Sequence, residues 1–335
     1  MDGEGRAPAD VTHPVSFALV PAVVAGRAST RLAVVLRAPG CRYARATGGC
    51  RFCGFLALST HGAPVTTGDY AQQIERVLEA ARASARAVEQ VDLYNSGSFL
   101  ADEEVPVEAR ALMLERIRSL PAVQKILIEA RPEDVTADRL RPLVERAGDA
   151  RLEVGIGLES ADDRVRSDLM QKGFSLAAFE RAAAVIRDCG AALLAYVFLK
   201  PPGLDEATAR DDAMATARYL SSLSARLRDG AHPAFRVTFA LQPAFVARGS
   251  ALEAEWAAGR YQLLNLWTVL EVVLCAARLL PVQVGLWDEG LAQGRVPSGC
   301  ERCSGRLRDA LRRFNESADL ALLENLPRCA CAPDP

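Results

Sequence analysis

The sequence predicts an α/β fold, a parallel sheet of six strand–helix units followed by a cysteine-bearing C-terminal part. Three observations carry that reading. Short β-branched runs alternate with longer segments of helical periodicity, which implies parallel strands joined by right-handed crossovers. The runs read as apolar on both faces, as in a sheet covered on both sides. The alternation stops near residue 245, where helical and cysteine-rich sequence takes over. Six units suit an incomplete barrel as well as an open sheet.

The strand runs, in order, are RLAVVLRAP (31–39), VDLYN (91–95), VQKILIEA (123–130), RLEVGIGLES (151–160), AALLAYVFLKPP (191–202) and AFRVTFALQP (234–243). Between them, residues 70–90 have helical spacing, with Ile74, Val77, Leu78 and Ala81 on one face. Helices are also predicted at 104–120, at 133–148 with Thr136 as N-cap, in pieces at 161–171 and 175–188, and at 205–227. Beyond 245 come a helix at 250–259, a long apolar helix at 262–279, a short strand at 282–287 and the cysteine-bearing tail. The chain thus divides into an N-terminal extension (1–29), a strand–helix body (30–245) and a C-terminal unit (246–335). The GIGLES segment (155–160) lacks the third glycine of a dinucleotide-binding fingerprint.

The 335 residues are 50% hydrophobic and carry a net charge of −2, without the basic footprint of a protein that holds nucleic acid unaided. The acidic N-terminus is followed by VSFALVPAVVAG (15–26), which matches a signal-peptide core in length but lacks its basic flank. The apolar run 261–280 contains Glu271 and Arg278 and reads as a buried helix, not a membrane span. A cytoplasmic protein without membrane contact is expected. In a reducing compartment its nine cysteines serve as metal ligands before disulfides.

Three of these, Cys41, Cys50 and Cys53, lie in CRYARATGGCRFCGF (41–55) as C-x8-C-x2-C. A four-iron cluster held by three thiolates leaves one iron open. A zinc site would need a fourth ligand, His61 or a distant cysteine. Gly48 and Gly49 let the backbone fold beside a bulky group, and Phe52 can pack against a ligand. The tail holds Cys300 and Cys303, then Cys329 and Cys331 after 25 residues. Two close pairs suit a closed tetrahedral zinc, with a second iron–sulfur cluster as the rival. Cys189 and Cys275 sit in apolar helical patterns as core fillers. Tail arginines such as Arg306 and Arg312 are offset by Glu301, Asp309, Glu316 and Asp319, a solvated face more than a phosphate-binding one.

A three-cysteine loop after the first strand of six, ending C-x-aromatic-C, resembles the radical S-adenosylmethionine superfamily. The superfamily's commonest spacing is C-x3-C-x2-C. The longer spacing here resembles a narrower branch, the archaeosine-synthase radical S-adenosylmethionine subunit and its bacterial relatives. So do LYNSGSFL (93–100), EVP (104–106), IEARPEDVT (128–136), GLESADDRVRSDLMQKGFS (157–175), AYVFLKPP (195–202), LWTVLEVV (266–273) and RRFNESADL (312–320).

The resemblance implies a partial (β/α)6 TIM-like barrel with a C-terminal cysteine-rich, zinc-binding unit. Cys41, Cys50 and Cys53 would hold a [4Fe–4S] cluster whose open iron binds S-adenosylmethionine. One electron would then release a 5′-deoxyadenosyl radical for hydrogen abstraction. In such barrels the site lies at the C-terminal strand ends. There Ser96, Gly97 and Ser98 would meet the methionine amino group, although the usual Gly-Gly-Glu is missing. Glu129 and Arg131 would face the site, Glu129 as both a cofactor-binding and a catalytic residue. Glu159 or Ser160 would bind the ribose hydroxyls or the amino acid end. Lys200, a second catalytic candidate, ends the fifth strand, and Gln242 ends the sixth. The branch's reaction cleaves a C–N bond in a lysine-modified 7-deazaguanine of tRNA, leaving an amidine, after a partner enzyme attaches the lysine. Flavodoxin or ferredoxin would supply the electron. The alternatives are a radical enzyme for a small molecule or peptide, and a non-catalytic zinc-stabilised binding protein.

Overall fold

Residues 10–333 are described by a computed structural model, except 85, 229–231, 234, 287 and 289. The acidic residues 1–9, Ala234 at the start of the sixth strand run and Trp287 of the short late strand therefore lie outside the described residues. One eight-stranded sheet organises the chain, in the order β1 (Ser16–Val24), β2 (Arg27–Val35), β3 (Val88–Tyr94), β4 (Lys125–Glu129), β5 (Arg151–Gly157), β6 (Ala192–Leu199), β7 (Val237–Pro243) and β8 (Val282–Val284). Strands β2 to β8 are parallel. β8 does not pair with β1, so the barrel stays open.

The first strand differs from the sequence reading. The apolar run after the acidic N-terminus is no separate extension but an antiparallel edge strand on β2. Ala25 and Gly26 form the turn with φ of 50° and 76°, the two left-handed residues that a two-residue hairpin matching strand twist requires. Strand–helix alternation could not reveal it, because no helix separates β1 from β2.

The two faces of the sheet also differ from expectation. Outward residues such as Val91, Leu93, Ile126, Ile128, Val154, Ile156, Leu193, Val197 and Phe239 are buried beneath helices. Those helices include α2 (Thr67–Ala83), α3 (Val107–Ile117), α4 (Ala137–Ala147), α5 (Leu176–Asp188) and α6 (Glu206–Leu227), preceded by the short α1 (Arg42–Thr47). The alternate positions face the lumen and are mixed: Gln90, Asp92, Lys125, Glu129, Glu153, Thr238 and Gln242 are polar, while Leu127, Leu194 and Ala240 form a small apolar cluster with Tyr94 and Tyr196 packed on it. An inner face apolar throughout is thereby corrected to one in which charged residues surround a small apolar cluster. The lumen carboxylates Asp92 and Glu153 are buried, and each pairs with a cation. Arg31 donates to Asp92 at 2.8 Å, and Lys125 lies 2.5 Å from Glu153. Gln90 donates to Asp92 at 2.6 Å. A Cβ at Gly155 would come within 2.9 Å of the Tyr196 ring, so glycine there leaves the ring its space.

Thr66 and Asp69 form a reciprocal capping box at the start of α2. Thr136 stands at the N-cap of α4 with extended backbone, but its side chain makes no capping bond. The piece anticipated at 161–171 is a π-helical turn, Arg164–Leu169. Beyond β7 lie α7 (Ala251–Ala257), α8 (Leu266–Ala276), α9 (Ser304–Ser317) and α10 (Ala321–Glu324). Helix α9 packs against β1, β2 and β8, and so fills the seam of the open barrel. Its Asn315 accepts from Val284 N–H at 2.9 Å and donates to Val284 C=O at 2.7 Å, pairing the free edge of β8. No helix among the described residues is long and apolar enough to cross a membrane.

Candidate active site

The cysteine loop leaves β2 and is tied at once to β3, because Cys41 N–H donates to Ser96 C=O at 3.0 Å. After α1, Gly48 and Gly49 turn the chain back with φ of 89° and 81°. Cys53 N–H closes onto Cys50 C=O at 3.1 Å. The far end of the loop is clamped twice: Arg51 N–H donates to Met170 C=O at 3.1 Å, and Arg51 C=O accepts from Leu252 N–H at 3.0 Å. A Cβ on Gly54 would fall 2.5 Å from the Ala247 methyl, so the chains touch there. Burial raises the thiols of Cys41 and Cys53, the latter to about 12. Loss of those protons therefore needs a metal or nearby cations. Both Arg131 and Lys172 act electrostatically on the loop thiols.

The C-terminal ends of the neighbouring strands converge on this loop. Ser96, Glu159 and Lys200, after β3, β5 and β6, have φ of 57°, 66° and 82°. Left-handed non-glycine residues are costly and gather at functional sites. Asn95 is fully buried with both amide atoms unpartnered, and the Ser96 hydroxyl is buried without a partner. Orphaned polar atoms beside the cysteine loop leave hydrogen-bonding capacity that a bound group could use. The Ser98 hydroxyl accepts from Arg131 N–H at 3.2 Å, which leaves its own O–H free to donate.

Burial pushes Glu129, at the end of β4, up to about 7, with Asp92 and Glu159 adding repulsion while Tyr196 and Lys172 oppose the rise. Glu159 pairs with Lys172 at 2.8 Å and not with Arg131. Arg131 instead pairs with Glu133, lies 4.2 Å over the Tyr43 ring and donates to Lys172 C=O at 2.9 Å. Lys172 Nζ also sits 5.5 Å from the ring of Phe52, which packs on Phe198 at 4.4 Å between centroids. Phe52, Glu129, Glu159 and Lys172 thus form one group beside the cysteine loop. The Ser160 hydroxyl is held by Asp212 at 2.7 Å. Lys200 is buried 4.7 Å over the Tyr261 ring, and burial lowers its affinity for a proton. Gln242 borders Gly285, where a Cβ would come within 2.1 Å of the Gln242 amide oxygen.

Sequence reasoning did not single out Asn95, Lys172 or Tyr196, which lie among these residues. Each lies in a segment that resembles the branch, but nothing in their spacing set them apart from neighbouring polar residues.

The four tail cysteines meet in space. Cys300 lies 3.6 Å from Cys303 and 3.5 Å from Cys329, and Cys303 lies 3.4 Å from Cys331, sulfur to sulfur. All four sulfurs fall within 4.8 Å of one another. A tetrahedral ion with bonds of about 2.3 Å sets its sulfurs roughly 3.8 Å apart. This set therefore fits one ion, whereas a cubane spreads its ligands over several irons. Among the described residues, Cys41, Cys50, Cys53 and His61 form no such close set.

No family model matches the chain. The archaeosine synthase subunit beta of Methanosarcina acetivorans is 30% identical over 92% of this chain and 85% of its own length. The chain belongs to the archaeosine synthase subunit beta family. The Thermococcus kodakarensis protein of the same name is 29% identical over 91% of each chain. Among solved structures, an N-terminally deleted archaeal Elp3 from Methanocaldococcus infernus superposes with a TM-score of 0.51 at 15% identity, covering 75% of this chain and 59% of that one. At that identity it shows the fold alone. The C-x8-C-x2-C loop on this fold is the feature a radical S-adenosylmethionine enzyme would use. The residues described above fit what such an enzyme must hold: three thiols on one loop, two buried cations beside them, and unpartnered Asn95 and Ser96 atoms across from them.

Proposed function

We propose that Cys41, Cys50 and Cys53 hold a [4Fe–4S] cluster and that S-adenosylmethionine lies across the ends of β3 to β6, against Asn95, Ser96, Gly97 and Glu159. When bound, that pair of groups supplies a 5′-deoxyadenosyl radical that abstracts hydrogen from substrate, with the electron coming from a flavodoxin or ferredoxin. Phe52 and Phe198 wall the site, and Lys172 offsets the negative charge of Glu159 and the thiolates.

The substrate proposed is the lysine-modified 7-deazaguanine of tRNA, whose C–N bond is cleaved to leave an amidine after a partner enzyme has attached the lysine. The observation that carries this reading is the relationship to two archaeosine synthase beta subunits over nearly the whole chain. The lumen is consistent with it. Asp92, Glu153 and Glu159 each pair with a cation, Arg31, Lys125 and Lys172. No ion pair of Glu129 occurs among the described residues, so an amine or amidine nitrogen of the substrate can supply a cation beside the Tyr196 hydroxyl and draw the raised carboxyl into its charged form. The C-terminal thiols are assigned to one zinc ion with a structural role.

Anaerobic incubation of the reconstituted protein with S-adenosylmethionine, dithionite and tRNA bearing the lysine adduct tests the reading. Nucleoside analysis should show the adduct lost and the amidine formed in step with 5′-deoxyadenosine. Deoxyadenosine formation with an untouched adduct would reject the substrate.

A further inference from the structure

Glu104 is fully buried in the loop between β3 and α3. Its two carboxylate oxygens serve two different strands' loops. One accepts from Arg42 N–H at 2.7 Å, next to the ligand Cys41. The other accepts from Ser98 N–H at 2.5 Å, next to Gly97 in the cofactor-binding loop. The Glu104 carbonyl is fixed in turn by the Tyr70 hydroxyl at 2.7 Å, from helix α2. A Cβ at Gly97 would lie 2.0 Å from the same carboxylate and 3.0 Å from Cys41 Cα, so only glycine admits this junction. Cys41 N–H to Ser96 C=O completes a closed ring of contacts between the two loops.

We infer that Glu104 is a positioning residue that sets the cysteine loop in register with the Asn95–Ser98 loop, and thereby sets the cluster against its cofactor. A carboxylate suits the task because it accepts on both oxygens, whereas an amide accepts on one and presents N–H to the other donor. A buried charge-assisted bridge also costs more to break than a neutral one. The inference rests on the cluster and cofactor assignment and not on the identity of the substrate.

The test is the electron paramagnetic resonance spectrum of the reduced cluster with and without S-adenosylmethionine, for the parent chain and Glu104→Gln, beside the kinetics of deoxyadenosine release. Glu104→Gln should fold and bind iron as the parent does. The cofactor-induced spectral change should need at least about ten-fold more S-adenosylmethionine, with KM rising more than kcat falls. Gly97→Ala, which keeps the carboxylate but displaces it, should shift the spectrum in the same direction. A parent with no cofactor-dependent change would overturn the site reading and this inference with it. A responsive parent beside an unchanged Glu104→Gln overturns the inference alone. Failure of both variants to fold would make Glu104 a folding element and overturns it too.

Discussion

Lys172 and Glu159 form a buried ion pair 2.8 Å long that joins the end of β5 to the segment after the π-helical turn. Gly157 lies beneath it, where a Cβ would come within 2.4 Å of Glu159 and 2.7 Å of Lys172. Removing one partner of such a pair leaves a buried charge uncompensated, at a cost of about 3–5 kcal/mol. Lys172→Met should therefore destabilise the chain by about that much in urea unfolding. The double variant Glu159→Gln/Lys172→Met should recover part of the loss. Equal instability of single and double variants would show that the pair is not coupled.

Glu129 should leave a signature in stability against pH. Its folded value of about 7 lies above the ordinary carboxylate value of 4.5. A raised carboxyl favours the folded state while protonated. Its contribution is complete below about pH 4.5 and is lost as pH rises through about 7. The parent should thus lose at most about 3 kcal/mol relative to Glu129→Gln across that window. Paired urea titrations at about pH 5, 6, 7 and 8 measure it. A parent that gains stability relative to Glu129→Gln over the same range would contradict the assignment.

The C-terminal thiols bear on the barrel as a whole. Cys303 is the N-cap of α9, and α9 fills the seam between β1 and β8. Chelation of the ion should raise hydrogen exchange at β1 and β8 before the central strands. Asn315→Ala should do so while the ion stays bound, costing about 1–3 kcal/mol for the exposed strand edge. The expected content is one zinc per chain at this site, by metal analysis of the holo-protein. Iron replacing that zinc, with a second cluster signal, would reject the single-ion geometry.

Much of this was legible in the sequence. The parallel strands showed because branched runs separated by helical periodicity admit few topologies. The tail cysteines showed because two close pairs of soft ligands have few other uses. The rest depended on contacts between distant segments. β1 hid because an antiparallel edge strand carries no crossover helix. The lumen charges hid because Asp92 and Glu153 stand among apolar neighbours, and only the pleat assigns them to one face. Lys172 and Glu104 hid for a further reason. Lys172 meets the loop thiols and Glu104 meets Arg42 because the sheet sets the cysteine loop beside the ends of neighbouring strands, while Glu159 and Ser98 reach them through local turns that spacing does not show.

The most direct test of the central claim is iron and sulfide analysis after anaerobic reconstitution, with 5′-deoxyadenosine release from S-adenosylmethionine under dithionite, for the parent chain and Cys50→Ala. The parent should carry one four-iron cluster and release deoxyadenosine, and Cys50→Ala should fold yet release none. Zinc alone in the parent, or undiminished release by Cys50→Ala, would contradict the assignment of the 41–55 loop as the cluster site.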